Sequence, residues 1–203
     1  MSRGGLAVAG VTLIGVGLAI GFGWLWPSSA ERTDEVTGPV TDVTFDNDSG
    51  DVTVRGRDVR TTVIRQSFRY RGGEPDGPAF SVEGSTLKLH GCGSSCSVRY
   101  EVIVPRGTPV GGTVDSGDLE LDSVGAVRVS ADSGDIRLWL DRVERVSARA
   151  DSGDIEVTVP SGSYRITGDT DSGDREIGVA TDPASTRVLD LSTDSGDVTV
   201  RGR

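Results

Sequence analysis

Residues 115–138 read DSGDLELDSVGAVRVSADSGDIRL, and they hold one full period of the chain. Asp-Ser-Gly-Asp opens the stretch at Asp115 and returns at Asp132. Between the two copies apolar and polar residues alternate, first as Leu119-Glu120-Leu121 and then as Val127-Arg128-Val129. A period of two marks a strand with one buried face. Asp-Ser-Gly supplies turn chemistry: Asp is expected to bond its own backbone, and Gly takes positive φ without steric cost.

Working outward, the tetrapeptide occurs six times, starting at Asp48, Asp115, Asp132, Asp151, Asp171 and Asp194. The last five copies are 17, 19, 20 and 23 residues apart, and residues 48–57 and 194–203 are the same decapeptide, DSGDVTVRGR. Only the copy at Asp171 breaks pattern, with Arg175 where the others carry an apolar residue. Each unit therefore reads as strand, turn, strand, turn in about twenty residues with no helical period. That is the mark of a β-solenoid whose coils, about 4.8 Å apart, bury a narrow shared core. The expected fold is all-β, a parallel β-helix or β-solenoid over residues 39–203. Residues 50–114 lack the motif but read as strands near 61–70, 80–90 and 97–105, either as longer degenerate coils or as a hairpin insertion. The last repeat ends at Arg203, so an open final coil is expected there, blunted by Arg201 and Arg203.

Composition fits a thin repetitive fold. Of 203 residues 29 are glycine and 35% are apolar. The net charge of −10 argues against sequence-independent nucleic-acid binding, which needs a basic footprint. One histidine and two cysteines argue against a zinc enzyme with three protein ligands.

Residues 6–26 are 21 in number and uncharged. As a helix they span about 31 Å, the thickness of a hydrocarbon core. Arg3 precedes them, and Glu31, Asp34 and Glu35 follow. The expected organisation is a cytoplasmic N-terminus (1–5), a signal-anchor transmembrane helix (6–26), a flexible linker (27–38) and an extracytoplasmic domain (39–203). A cleaved signal peptide with Ser28-Ser29-Ala30 as its site is the competing reading, though signal-peptide apolar cores run only ~7–15 residues.

The repeated Ser-Gly-Asp-φ-x-φ pattern within 114–121, 131–138, 150–157 and 193–200, with the strand ending Val102-Ile103-Val104-Pro105 before it, resembles the bacterial "putative adhesin" domain family of unknown function. The resemblance covers about residues 39–203. It implies a parallel β-helix on the cell surface, often behind one membrane helix, and a link in some members to envelope-stress systems. It carries over no catalytic residue.

Asp-Ser-Gly is also the triplet of aspartic proteases, but six tandem copies fit a structural repeat far better than a facing pair. In a regular stack equivalent aspartates lie near 5 Å apart and repel by roughly 0.9 kcal/mol in water. Two readings of the columns follow. Either Asp115, Asp118, Asp132, Asp135, Asp151, Asp154, Asp171 and Asp174 are turn residues facing water, or they form a ladder for calcium, which takes six to eight oxygens. The turn reading is preferred, with no cofactor. Cys92 and Cys96 are expected to form a disulfide outside the membrane, worth about 2 kcal/mol for so short a loop. A metal site with His90 is the alternative to that pair. Trp139, between Leu138 and Leu140, is expected to point outward.

The chain is thus expected to be a non-enzymatic, adhesin-like binding module anchored in the cell membrane, with a monomeric ectodomain and an unknown surface ligand or envelope partner. An accessory of an envelope-stress system is the alternative, and an enzyme acting on cell-wall glycans is a distant third.

Overall fold

The structure, a computed structural model, describes residues 27–203. The membrane segment expected at 6–26 lies outside the described residues. Every regular element described is a strand. The N-terminal part holds β1 (Ser28–Val36), β2 (Asp42–Asn47), β3 (Val52–Arg57) and β4 (Thr62–Tyr70), then β5 (Phe80–Glu83), β6 (Thr86–His90) and β7 (Cys96–Pro105). The regular repeats follow as β8 (Val110–Ser116), β9 (Leu119–Asp122), β10 (Val127–Ser133), β11 (Ile136–Trp139), β12 (Arg145–Ser152) and β13 (Ile155–Val159). The chain finishes with β14 (Ser163–Thr167), β15 (Thr170–Ser172), β16 (Arg175–Gly178), β17 (Ala180–Thr181), β18 (Val188–Ser195) and β19 (Val198–Gly202).

These strands build two sheets. Sheet A runs β1-β4-β7-β3-β9-β11-β13-β19-β16, and sheet B runs β17-β14-β18-β12-β10-β8-β2-β6-β5, with β15 also on β18. Each regular coil contributes one strand to sheet B, turns at Asp-Ser-Gly-Asp and contributes the next strand to sheet A. Equivalent positions stack in register: Ser133 pairs with Ser116 and Ser152, and Ser195 with Ser152 and Ser172. The alternating apolar residues of both sheets face inward and form one cluster running from Val40 to Val200. Residues 27–203 therefore carry a self-contained core.

The glycine of the motif is fixed by this stacking. Gly134 has φ of +141°, and a Cβ there would lie 2.1 Å from the carbonyl oxygen of Gly117 in the adjacent coil. Gly153 meets Gly134 in the same way, also at 2.1 Å. Only glycine lets the corners approach at strand spacing.

Three expectations change. The linker at 27–38 is largely strand: β1 pairs antiparallel with β4 from Ser28↔Tyr70 to Val36↔Thr62. Its sequence, SSAERTDEV, has little apolar alternation because it is an edge strand, held by backbone bonds and guarded by charge. Second, the N-terminal part is mixed. β6 and β7 join the stack as a coil, while β4 and the β5–β6 hairpin pair antiparallel. Buried Gln66 ties this region together, accepting from the Ala79 N–H at 2.7 Å and donating to Asp34 at 3.1 Å.

The third change concerns coil order. The final coil, β18–β19, is not at the end. It lies between β12–β13 and the coil of β14–β16. The first coil, β2–β3, is likewise flanked on both sides, by β6–β7 and β8–β9. The two identical decapeptides thus both lie inside the stack, each flanked by coils on both sides. The off-pattern copy is the true end coil. Arg175 replaces an apolar residue there because its slot has no further coil to cover it, and its guanidinium bonds the carbonyls of Gly168 and Thr167.

A corner contact also ties distant coils. Asp141 bonds the guanidinium groups of Arg106 and Arg203. The hydrogen bond from Arg203 holds the Asp141 carboxyl below its ordinary value of 3.8. A depressed folded-state pKa gives stability that is present above the unfolded value and lost as pH falls through the folded one. Melting temperature is therefore expected to fall as pH drops below about 4, with Asp141→Asn flattening that limb. An acid limb of the same slope in the variant would assign the loss to other groups.

Candidate functional site

The aspartates of the repeat divide into two columns with different work. The last aspartate of every motif except the end-coil copy at Asp174 accepts a bond from the neighbouring coil, not from its own backbone. Oδ1 of Asp51 accepts the N–H of Asp118 at 3.2 Å, Asp118 that of Asp135 at 3.0 Å, and Asp135 that of Asp154 at 2.9 Å. The series continues from Asp154 to Asp197 at 2.8 Å and from Asp197 to Asp174 at 2.7 Å. Arg137 spans two rungs, with Asp135 at 2.5 Å and Asp118 at 3.2 Å. The corner carboxylates are thus acceptors for backbone N–H groups the turns would otherwise leave unpaired. The first aspartates, Asp115, Asp132, Asp151 and Asp171, are exposed to solvent. Among the described residues no group of three His, Cys, Asp or Glu is placed to hold a metal ion.

This ladder makes a prediction. Asp135→Ala should cost about 1–2 kcal/mol by orphaning the Asp154 N–H, whereas Asp135→Asn, which keeps an oxygen acceptor, should cost under about 1 kcal/mol. Millimolar calcium and sodium at equal ionic strength should shift the melting temperature alike. A chelator-reversible rise of more than a few degrees, or equal losses in the two variants, would contradict the ladder.

The outer faces of the two sheets differ in charge pairing. On sheet A most cations are matched across strands, with Arg69 an exception: Arg55 with Glu120 at 3.8 Å, Arg65 with Glu101 at 3.2 Å, Arg99 with Asp51 at 2.9 Å and Arg201 with Glu156 at 3.7 Å. On sheet B, Arg128, Arg145, Arg149 and Arg165 are exposed and absent from every ion pair among the described residues.

Three of these line a groove of about 700 Å³ on sheet B. It crosses six neighbouring strands, β14, β18, β12, β10, β8 and β2, and so runs along the solenoid axis for about 24 Å. Small residues hollow it: Pro109, Gly111 and Ala126 stand where longer side chains would fill it. Arg128, Arg145 and Arg165 rise beside them, with Asp190 between. Arg149 borders an adjoining hollow of about 600 Å³. None of the residues lining the main groove is aromatic.

A family model described as Toastrack DUF4097 matches residues 37–201. The chain belongs to the Toastrack DUF4097 family. Among solved structures, it is similar to a "putative cell adhesion protein" of Clostridium sporogenes, at 12% identity and a TM-score of 0.62, covering 87% of this chain and 100% of that one. A "putative adhesin" of Bacteroides fragilis is also found, at 12% identity and a TM-score of 0.42, covering 88% of this chain and 100% of that one. No curated protein matches. The first likeness supports the Toastrack fold.

In this Toastrack domain the other singled-out residues fall as follows. Cys92 and Cys96 form a disulfide, with Cα atoms 5.4 Å apart. His90 is exposed and shares a hydrogen bond with Ser81 at 3.0 Å. Its carbonyl accepts a bond from the buried Tyr100 hydroxyl, whose pKa burial pushes up. Trp139 is exposed on sheet A, beside Asp122 and Thr158. The groove was missed in the sequence, although its signal was present. Arg128 and Arg165 are the outward residues of Val127-Arg128-Val129 and Tyr164-Arg165-Ile166, the runs preceding their motifs.

Proposed function

We propose that the protein is a membrane-anchored, extracytoplasmic and non-enzymatic surface-binding module, monomeric outside the membrane, that holds its ligand along the groove of sheet B. The observation that carries this reading is the contrast between the two faces: most cations on sheet A are matched, while the three along a groove of about 24 Å on sheet B, at about 4.8 Å per strand, stand free. Three further observations support it. Residues 6–26 have the length and apolarity of a membrane span, and the charge bias about them favours an outside domain. The Cys92–Cys96 disulfide suits an oxidising compartment. The neighbour described as a cell adhesion protein shares the fold. The repeat carboxylates are spread along columns, with their corner oxygens used by the backbone, which fits a scaffold better than a catalytic pair.

Protease added to intact, wall-stripped cells tests the topology that this function requires. Residues 27–203 should be removed from the outside. Full protection, with degradation only after lysis, would overturn both the localisation and the function built on it.

A further inference from the structure

The occupant of the groove can be narrowed by its chemistry, an inference that rests on sheet B being the binding face. We propose that the groove binds a linear phosphodiester-linked polyol chain lying parallel to the solenoid axis.

Shape argues first. The groove crosses six strands in line and is lined by residues from each of them. A trough of that form accepts an extended chain and not a flat membrane or a globular surface.

Charge argues second. Arg128, Arg145 and Arg165 are exposed cations with neither an ion pair nor a side-chain hydrogen bond among the described residues, in a chain of net charge −10. Leaving guanidinium groups free where acidic partners are plentiful on the opposite face keeps them available to an anion. The planar guanidinium fork matches the paired oxygens of a phosphodiester or a carboxylate.

Spacing chooses between those two. Arg145 and Arg165 both stand in register with Val188, so they share one row two strands apart, about 9.5 Å at the backbone. Arg128 lies on the diagonal from Arg145, about 7–8 Å away. Val188 stands between Arg145 and Arg165 in that row, and the next row carries Thr167, Asp190 and Ser147 beside Arg128, with Thr167 donating to Asp190 at 2.9 Å. One row thus presents two cations about 9.5 Å apart, and the row beside it presents hydroxyl-binding groups next to a third cation. A polyol phosphate can lay its spaced anions on the first row and the hydroxyls of its spacers on the second. A polyuronate has a carboxylate on every sugar ring, and its rings would meet no aromatic face among the groove's lining residues.

The test uses the full-length chain in nonionic detergent and poly(glycerol phosphate) as the probe, with polygalacturonate as the carboxylate counterpart. Poly(glycerol phosphate) should bind saturably and weaken as salt rises. Arg145→Glu with Arg165→Glu should weaken it at least tenfold without changing the melting temperature, because neither side chain has a partner to lose. Arg69→Glu, an equally exposed cation outside every ion pair but on sheet A, should leave binding within twofold. Polygalacturonate should bind at least tenfold more weakly. No binding of poly(glycerol phosphate), equal binding of polygalacturonate, or an equal loss in Arg69→Glu would each overturn the proposal. If poly(glycerol phosphate) fails while attachment to cell envelopes still depends on Arg145 and Arg165, the ligand class falls and the binding face stands. If that attachment ignores both arginines, the binding face falls as well.

Discussion

Gly134→Ala should destabilise the protein by about 3 kcal/mol or more, a loss of about 6–12 °C in melting temperature for a domain of this size. Two costs add at this position. The backbone sits at φ +141°, which L side chains avoid, and the new Cβ would press to 2.1 Å from the Gly117 carbonyl oxygen. Backbone is the obstacle, so no side-chain rotation relieves it. Gly72→Ala separates the two effects: φ is +92° there but nothing lies within 4 Å of the added Cβ. It should cost only about 1–2 kcal/mol. Equal effects of the two substitutions in thermal melts would show that the corners do not stack as closely as described.

Deleting residues 188–203 should have a larger effect still. The deletion removes β18 and β19, and with them the buried Leu189, Leu191, Val198 and Val200. At about 1.5–3 kcal/mol each, those side chains alone approach the whole stability of a typical domain, about 5–15 kcal/mol. The same cut strips β15 and β16 of the strands they pair with and leaves β14 only the two-residue β17. The expected result is loss of cooperative unfolding in circular dichroism, with residues 163–187 digested first in limited proteolysis. If the last repeat were a terminal coil, its removal would leave residues 163–187 protected and the remainder melting cooperatively. That outcome would refute the inserted position of β18–β19.

The repeat, the strands and the corners were legible because each is written locally. Alternation such as Ile155-Glu156-Val157 needs only one strand to be read, and Asp-Ser-Gly needs only one turn. Four features were not legible, each set by contacts between distant residues. The order of coils depends on which strand Val198 pairs with, and Ile155 and Arg175 are both its partners although 43 and 23 residues away. β1 lacks an apolar stripe because its bonds to β4 are made by the backbone. The aspartate ladder gives Asp135 a partner in the following coil, whereas sequence reasoning assigned each aspartate to its own turn. The groove joins arginines from three repeats and becomes visible only once those repeats are stacked in register.

The central claim is that the outer face of sheet B does the binding. The most direct measurement is attachment of purified residues 27–203 to isolated cell envelopes of the producing organism, for the parent and for two variants. Arg145→Glu with Arg165→Glu should reduce attachment at least tenfold, and Arg69→Glu on sheet A should reduce it less than twofold. Equal attachment by all three proteins, or an equal loss in both variants, would contradict the account.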